Sequence, residues 1–456
     1  MLEPLYTADE MRAAEEQYPG SEQELMERAG RAVAEEAMRR WPDAQRFAAV
    51  CGKGNNGGDG RIAVAVLRKA GRAAEEVDVP GDADVVIDAL FGTGFRGEPR
   101  ADAAERIAAL SASGAPVLAV DIPSGVDAST GEVAGAAVEA DVTVAFHAPK
   151  VGTDVAPGRF RAGEVVVADI GLESVPTRHA RATPALLDTV PRRARADNKY
   201  TAGHVVVVGG SPGMTGAPSL TALAALRADA GYVALAGPAQ AIPAFEHWVL
   251  EAVKHPLPED GDGLIAEGAA GEVLELVEKG GALAIGPGLG RGPGTREVIR
   301  RVLAEAPVPV VADGDALFEL EPADWPAPRV LTPHAGELGR LLGAESTWVD
   351  AHRLAALDEA VRRFGCTVVL KGDGTLVGDP GSGAIVCAGA PSLATAGTGD
   401  VLTGIVAAFL AKGMEPRLAA AAAVVAHTEA ARRVTPQEGL IAGDLVEALP
   451  SVLAAD

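Results

Sequence analysis

Residues 51–60 read CGKGNNGGDG. Gly52, Gly54 and Gly57 make the spacing G-x-G-x-x-G, which lets a backbone turn approach a pyrophosphate and open a helix. That fingerprint also asks for an acidic residue ~20 positions on, at a second strand end. Glu75, Glu76 and Asp78 lie near that distance, in a segment of weak strand character. Asn55, Asn56 and Asp59 are not part of the fingerprint. In one reading they only tolerate a tight turn and cap the next helix. In the other they present amide and carboxylate oxygens to a ligand.

Two more polar loops follow apolar runs: DALFGTGFRGE at 88–98 and DIPSGVD at 121–127. Asn56, Asp88 and Ser124 each offer oxygen at an expected strand end, and an oxygen-only set suits a hard cation. Asp121 leaves an apolar strand for a Pro-Ser-Gly turn. A carboxyl partly desolvated there could work as a general acid or base; the alternative is an Asp that caps the turn.

The second half holds GGSPGMTGAPSLTA at 209–222, GPGLGRG at 286–292, TPHAGE at 332–337 and ATAGTGDVLTG at 394–404. Glycines before a helix turn N–H groups toward an anion, and the helix dipole adds partial positive charge. Asp400 inside such a turn is ill suited to phosphate binding alone. It fits a base for a hydroxyl that attacks a phosphoryl group, or else an ordinary first-turn Asp. VVLKGDGTLV at 368–377 reads as strand, tight turn and strand; Lys371 and Thr375 could meet adenosine-nucleotide phosphates, or the stretch is a common hairpin. No G-x-x-x-x-G-K-[ST] occurs, which disfavours a Walker-type NTPase. His334 reads as a site residue at a strand end or as a structural histidine.

These loops need a scaffold. SEQELMERAGRAVAEEAMRRW opens with a capping box, Ser21-x-x-Glu24, and continues with helical periodicity. The runs FAAV, VVIDAL, PVLAVDI, VTVAF and VVVADI then read as strands, with helices at 60–71 and 101–113. Around 172–200 the alternation lapses into a Pro- and Arg-rich stretch, the expected boundary. It restarts with HVVVVGG, a helix over APSLTALAALRADAG, five further strands and two apolar helices. Alternating strands and helices imply parallel sheets covered on both faces. Ligands then sit at the strands' carboxyl ends, where the loops above fall.

The 456 residues suggest two or three domains at roughly 100–200 residues each. Apolar content is 48% and aromatic content 4%, so small aliphatic side chains build the core. A net charge of −23 opposes nucleic-acid and anionic-membrane binding, but not a phosphorylated small molecule, since backbone N–H groups bind phosphate without net basicity. Cys51, Cys366 and Cys387 form no C-x-x-C pair and are expected as buried reduced thiols. No apolar run approaches the ~18 residues of a membrane span, and the acidic start lacks signal-peptide order; a cytoplasmic protein is expected.

GKGNNGGDG, DALFGTGFRG, VDIPSGVD and APK, in that order, resemble the epimerase domain of the bifunctional NAD(P)H-hydrate repair enzymes. GGSPGMTGAPSLTALAALRADAGYVALA, GPGLG, LTPHAGEL, LKGDGT and AGTGD resemble the ribokinase-like, ADP-dependent dehydratase of the same family. The resemblance implies an α/β chain with a Rossmann-like three-layer domain over 1–190 and a ribokinase-like domain over 191–456. It implies epimerisation of hydrated NADH or NADPH at C6, and dehydration of the S form with ADP as phosphoryl donor. Asn55, Asn56, Gly57, Gly58 and Asp59, with Gly92, Thr93, Gly94, Phe95, Arg96, Gly97 and Glu98, would contact the hydrate. Asn56, Asp88 and Ser124 would hold potassium, and Asp121 would touch the reacting ring. In the second domain Ala217, Gly288, Gly290, His334 and Asp400 would meet the hydrate, with Asp400 the base. Lys371, Gly372, Asp373, Gly374 and Thr375, and Thr395, Ala396, Gly397, Thr398 and Gly399, would meet the adenine nucleotide, accompanied by Mg²⁺.

Two other readings stay open: a vitamin-precursor kinase with an accessory dinucleotide-binding domain, and a non-catalytic dinucleotide-binding regulator. Free phosphate as product separates the dehydratase from the kinase, and binding of NADH without hydrate turnover would favour the regulator. A homo-oligomer is expected, without nucleic-acid or membrane partners. Arg61 departs from the family's usual apolar residue and is expected to point to solvent.

Overall fold

The computed structural model describes residues 1–454. The chain divides into two compact units. One holds Pro4–Ala180 with Asp350–Leu354; the other holds Met1–Glu3, Arg181–Val349 and the chain from Ala355 on.

The first unit carries a six-stranded sheet among the described residues. Its spatial order is Ala73–Glu76, Arg46–Cys51, Val85–Ala89, Val117–Val120, Val142–Phe146 and Glu164–Ala168, with every pairing parallel. The four strands from Arg46 to Phe146 are buried almost throughout, as runs of Val, Ala, Ile and Leu covered on both faces must be. From Arg46–Cys51 the chain first moves to one side and then to the other. The crevice between the carboxyl ends of Arg46–Cys51 and Val85–Ala89 is therefore the point where strand order reverses, the general place for a ligand.

The second unit's sheet, eleven strands among the described residues, repeats the device. Its centre runs Thr367–Leu370, Arg329–Leu331, Val310–Ala312, Ala282–Ile285, His204–Val208, Tyr232–Pro238, all parallel. The order reverses between His204–Val208 and Ala282–Ile285, and the loops at 209–217 and 286–290 open there. Thr367–Leu370 and Thr375–Gly378 form the antiparallel hairpin read from 368–377.

Differences from the sequence reading have physical causes. The lapse at 172–200 is partly structured: it holds the strand His179–Ala182 and a helical turn at Pro184–Thr189, whose Leu186 and Leu187 enter the core. Short elements of this kind give no periodicity to read. Arg61 does not point free to solvent. It donates to Glu76 at 2.9–3.2 Å and to the Gly52 carbonyl at 2.9 Å. The three cysteines are free and buried. No described helix is long and apolar enough to cross a membrane.

Candidate functional sites

Gly54 caps the helix Asn55–Lys69. A Cβ on Gly52 would lie 2.0 Å from the Leu90 carbonyl oxygen, and one on Gly57 would lie 2.0 Å from that of Gly52. At Gly54 nothing lies within 4 Å. The first and third glycines thus serve backbone-to-backbone packing inside the fold. Glu76, near the acidic position of the dinucleotide fingerprint, is occupied by Arg61. The match to G-x-G-x-x-G is therefore a matter of local packing and not of a ribose-binding carboxylate.

The side chains around that turn converge instead on one cavity of about 810 Å³. Asn55, Asn56, Asp59, Gly92, Thr93, Gly94, Phe95, Arg96, Glu98 and Asp121 all line it, together with Glu15. Gly57 and Gly58 are turned inward, the latter against Met26. Gly97 takes a left-handed φ of 73° in the loop. Sequence reading missed Glu15, which comes from the helix Ala8–Glu16, and the fully buried Lys150. Only the APK motif signalled Lys150. Its ammonium donates to Asp121 Oδ1 and, at 2.7 Å, to the Phe146 carbonyl. Asp121 Oδ1 also accepts from Phe146 N at 3.0 Å. Asp121 stands at a left-handed φ of 69°, uncommon for a residue with a side chain and held by these bonds.

Asp88 and Ser124 lie under the same loop, fully buried. Ser124 Oγ donates to Asp88 Oδ1 at 2.6 Å and accepts from Phe91 N at 2.9 Å, while Ser124 N donates to Asp88 Oδ2 at 2.8 Å. Asn56 Nδ2 donates to the Phe91 carbonyl at 2.8 Å. Its amide oxygen is thereby left to accept, close to Gly92. Burial raises the Asp88 carboxyl to about 6 against these hydrogen bonds. A buried carboxylate with hydroxyl, amide and carbonyl oxygens beside it and no bonded basic side chain has the chemistry of a hard monovalent cation's cradle. Asp59 is buried too. Burial first, then Asp121 and Glu15, raise its carboxyl to about 8.

In the second unit, Asp313 is the hub that sequence reading missed; no motif marked it. Its carboxylate accepts from Lys371 Nζ at 2.9 Å, Thr403 Oγ at 2.8 Å and Thr332 Oγ at 2.8 Å. Burial works to raise this carboxyl, but Lys371 and the hydrogen bonds outweigh it and the net shift is downward. Burial likewise opposes the Lys371 charge, and Asp313 and Glu337 more than restore it. Lys371 Nζ lies 3.5 Å from where a Cβ on Gly399 would stand, at the start of the helix Thr398–Ala411. Gly397, at φ 87°, opens that helix, and Asp400 is in its first turn. Burial, then Asp313, raise the Asp400 carboxyl to about 7, with Lys371 opposing.

The other expected residues gather around this hub or beside it. Asp373 in the hairpin turn lies against Gly389, which brings Gly372, Asp373 and Gly374 next to the segment leading to Thr395, Ala396 and Gly397. Thr375 is turned inward, its hydroxyl on the Gly372 carbonyl at 3.1 Å. Thr398 Oγ ties the turn to Leu393 and Thr395. Ala217 is the second residue of the helix Gly216–Arg227, whose Thr221 donates to the Asp400 carbonyl at 3.1 Å. Gly288 and Gly290 take left-handed φ of 59° and 80°, and Ser211 ties that loop to 209–214 through the Gly288 carbonyl. His334 Nδ1 accepts from Gly336 N and Glu337 N, capping the helix Ala335–Leu342, while Glu337 returns a bond to His334 N. The imidazole is therefore structural on one nitrogen and half-exposed on the other side.

Among the described residues no cluster of three His, Cys, Asp or Glu side chains is placed to hold a metal ion. Asp313 already accepts from three donors, among them the Lys371 ammonium. The second site therefore does not fit a protein cage for Mg²⁺, and a Mg²⁺ there would be carried on nucleotide phosphates.

Comparison with known proteins finds two family matches along the chain. A family model described as NAD(P)H-hydrate dehydratase matches residues 205–451, and one described as YjeF-related protein N-terminus matches 22–80 and 68–152. The chain is 36% identical to the bifunctional NAD(P)H-hydrate repair enzyme of Moorella thermoacetica, over 98% of this chain and 96% of that one. It is 36% identical to the enzyme of the same description from Coxiella burnetii, over 93% of each. Among solved structures, the ADP/ATP-dependent NAD(P)H-hydrate dehydratase of Bacillus subtilis, co-crystallised with ATP and Mg²⁺, matches with a TM-score of 0.54 and 29% identity. That match covers 59% of this chain and 96% of the other. A ribokinase-like superfamily protein from Enterococcus faecalis, 23% identical with a TM-score of 0.53 over 62% of this chain and 97% of the other, shares the fold.

Proposed function

The chain belongs to the family of bifunctional NAD(P)H-hydrate repair enzymes, which join hydrate epimerase and dehydratase activities, and on that premise we propose how its residues divide the work. In the first unit the hydrated dinucleotide lies in the 810 Å³ cavity, its reacting ring against Asp121. Asn56, Asp88 and Ser124 would hold a potassium ion, which would supply positive charge to the site. The cavity's volume suits a ligand of this class.

In the second unit Asp400 takes the proton of the C6 hydroxyl of the S hydrate, and the hydroxyl oxygen attacks the terminal phosphoryl group of ADP. Phosphate then leaves, pushed by the ring nitrogen, and loss of a C5 proton restores the dihydronicotinamide. AMP and phosphate are the other products. Lys371, charged against Asp313, and the N–H groups from Gly397 to Gly399 balance the phosphoryl charge. Mg²⁺ on the nucleotide neutralises phosphate charge when bound. The observation that carries the reading is Asp400. Its carboxyl, raised to about 7, stands in the first turn of a Gly-capped helix facing a buried ammonium. A base near neutrality at an anion-binding helix start suits phosphoryl transfer from a bound hydroxyl.

The test is incubation of each separated hydrate epimer with ADP, ATP or neither, with potassium varied. The expected result is dihydronicotinamide plus free phosphate from the S epimer with nucleotide, and from the R epimer through prior epimerisation. A stable phospho-ester would mean a kinase instead. The same reading takes the enzyme as a cytoplasmic homo-oligomer, which cell fractionation and sedimentation would check.

A further inference from the structure

We infer that Asp59 is a catalytic residue of the epimerase site, the proton-donating partner of Asp121 across the bound ring. The inference rests on the reading of this cavity as the place of hydrate epimerisation.

Asp59 and Asp121 line the same cavity but live in opposite surroundings. Asp121 is the counter-ion of a buried ammonium: Lys150, with no exposed surface, donates to its Oδ1, as does Phe146 N. Asp59 is also buried, yet among the described residues nothing hydrogen-bonds to its carboxyl, and its charged neighbours are acidic. The charged groups facing this corner are Arg12, Glu15 and Glu16 from the helix Ala8–Glu16, Glu22 from the helix Glu22–Arg40, and Asp121 with Lys150. Arg12 and Lys150 act on Glu15; those acting on Asp59 are Asp121 and Glu15, both negative. Both Glu15 and Asp59 line this cavity and an adjoining one of about 310 Å³, but Glu15 is exposed whereas Asp59 is buried. Burial and these two acids keep Asp59 protonated to about pH 8. Two carboxyls in one cavity, one ion-paired and the other without a bonded partner, are a usual arrangement for paired acid and base work.

The step balances as follows. The Asp59 O–H bond breaks and its proton goes to the C6 hydroxyl oxygen. The C6–O bond breaks and its electron pair leaves on water, while the ring-nitrogen lone pair forms an N=C bond. A solvent water adds to the opposite face of C6, the N=C pair returns to nitrogen, and the water's surplus proton passes to the Asp121 carboxylate. Turnover in the other direction exchanges the roles, and after net conversion Asp121 gives its proton to solvent and Asp59 takes one from it, which restores both carboxyls.

The experiment follows interconversion of the chromatographically separated epimers by the full chain, across pH and above the spontaneous rate. Wild type should show an alkaline limb near pH 8, and Glu15→Gln should move that limb downward by removing a like charge. Asp59→Asn should slow interconversion about a hundredfold or more and abolish the limb, while nucleotide-dependent dehydration of the S epimer continues. Asp59→Glu should restore part of the rate with a displaced limb. Interconversion at the wild-type rate in Asp59→Asn, or a slow variant that keeps the same limb, overturns the inference. A wild-type chain that does not interconvert the epimers overturns the epimerase reading, and this inference falls with it.

Discussion

Thr403 donates its hydroxyl to Asp313 Oδ2 at 2.8 Å, across 90 positions of chain. Thr403 is one helical turn beyond Asp400, and Asp313 also holds Lys371. A single buried carboxylate therefore sets the helix that carries the base and the cation beside it.

Removing that carboxylate should cost stability as well as activity. Asp313→Ala removes the hydrogen-bonded carboxylate from the mostly buried Lys371 ammonium and leaves it the more distant Glu337 at 3.9 Å. Losing one side of a buried pair costs about 3 kcal/mol, read as an earlier unfolding transition of the second unit in urea. Dehydration of the S hydrate should fall in the surviving folded protein.

Asp400 makes a pH prediction of definite sign. As a base it must be ionised, so dehydration should rise with pH through about 7. The raised folded value also means that the folded state binds this proton more tightly than the unfolded chain. The stability it contributes is present below 3.8 and is lost as pH rises through about 7. Asp400→Asn should abolish recovery of dihydronicotinamide absorbance. It should also melt higher than wild type above pH 7, with the difference fading in acid. Retained dehydration would remove Asp400 from the base role.

Asp88→Asn tests the cation cradle. Epimerisation by wild type should rise with potassium at constant ionic strength, and the variant should lose that dependence. Equal rates in potassium and in a bulky organic cation would end the potassium assignment.

His334 allows its cap and its free face to be separated. His334→Ala should destabilise the helix Ala335–Leu342 by about 1 kcal/mol, the usual cost of a lost cap. His334→Asn should keep the cap and the melting temperature yet raise KM for the hydrate. An unchanged KM would leave His334 a purely structural residue.

Much of this was readable from local pattern. The apolar runs and Gly stops placed the central strands, since a strand covered on both faces must be apolar throughout. The loops at 52–59, 88–98 and 394–404 were marked by the recurrence of Asn, Asp and Gly together at expected strand ends. Short elements such as His179–Ala182, and the edge strand Ala73–Glu76, carry too few residues for a period. The pairing of Arg61 with Glu76 links two segments whose separate sequences do not mention each other.

The sequence by itself determined which chemistry was on offer: carboxylates, amides and glycines at strand ends, and a family pattern across both halves. Tertiary structure alone decided the surroundings in which each carboxyl stands. Asp121 and Lys150 are 29 positions apart, and Asp59, Asp121 and Glu15 come from three separate elements. Their charges depend on burial and on which neighbours share the cavity. A parallel sheet that reverses its strand order brings those neighbours together, and no local stretch encodes the distance between them.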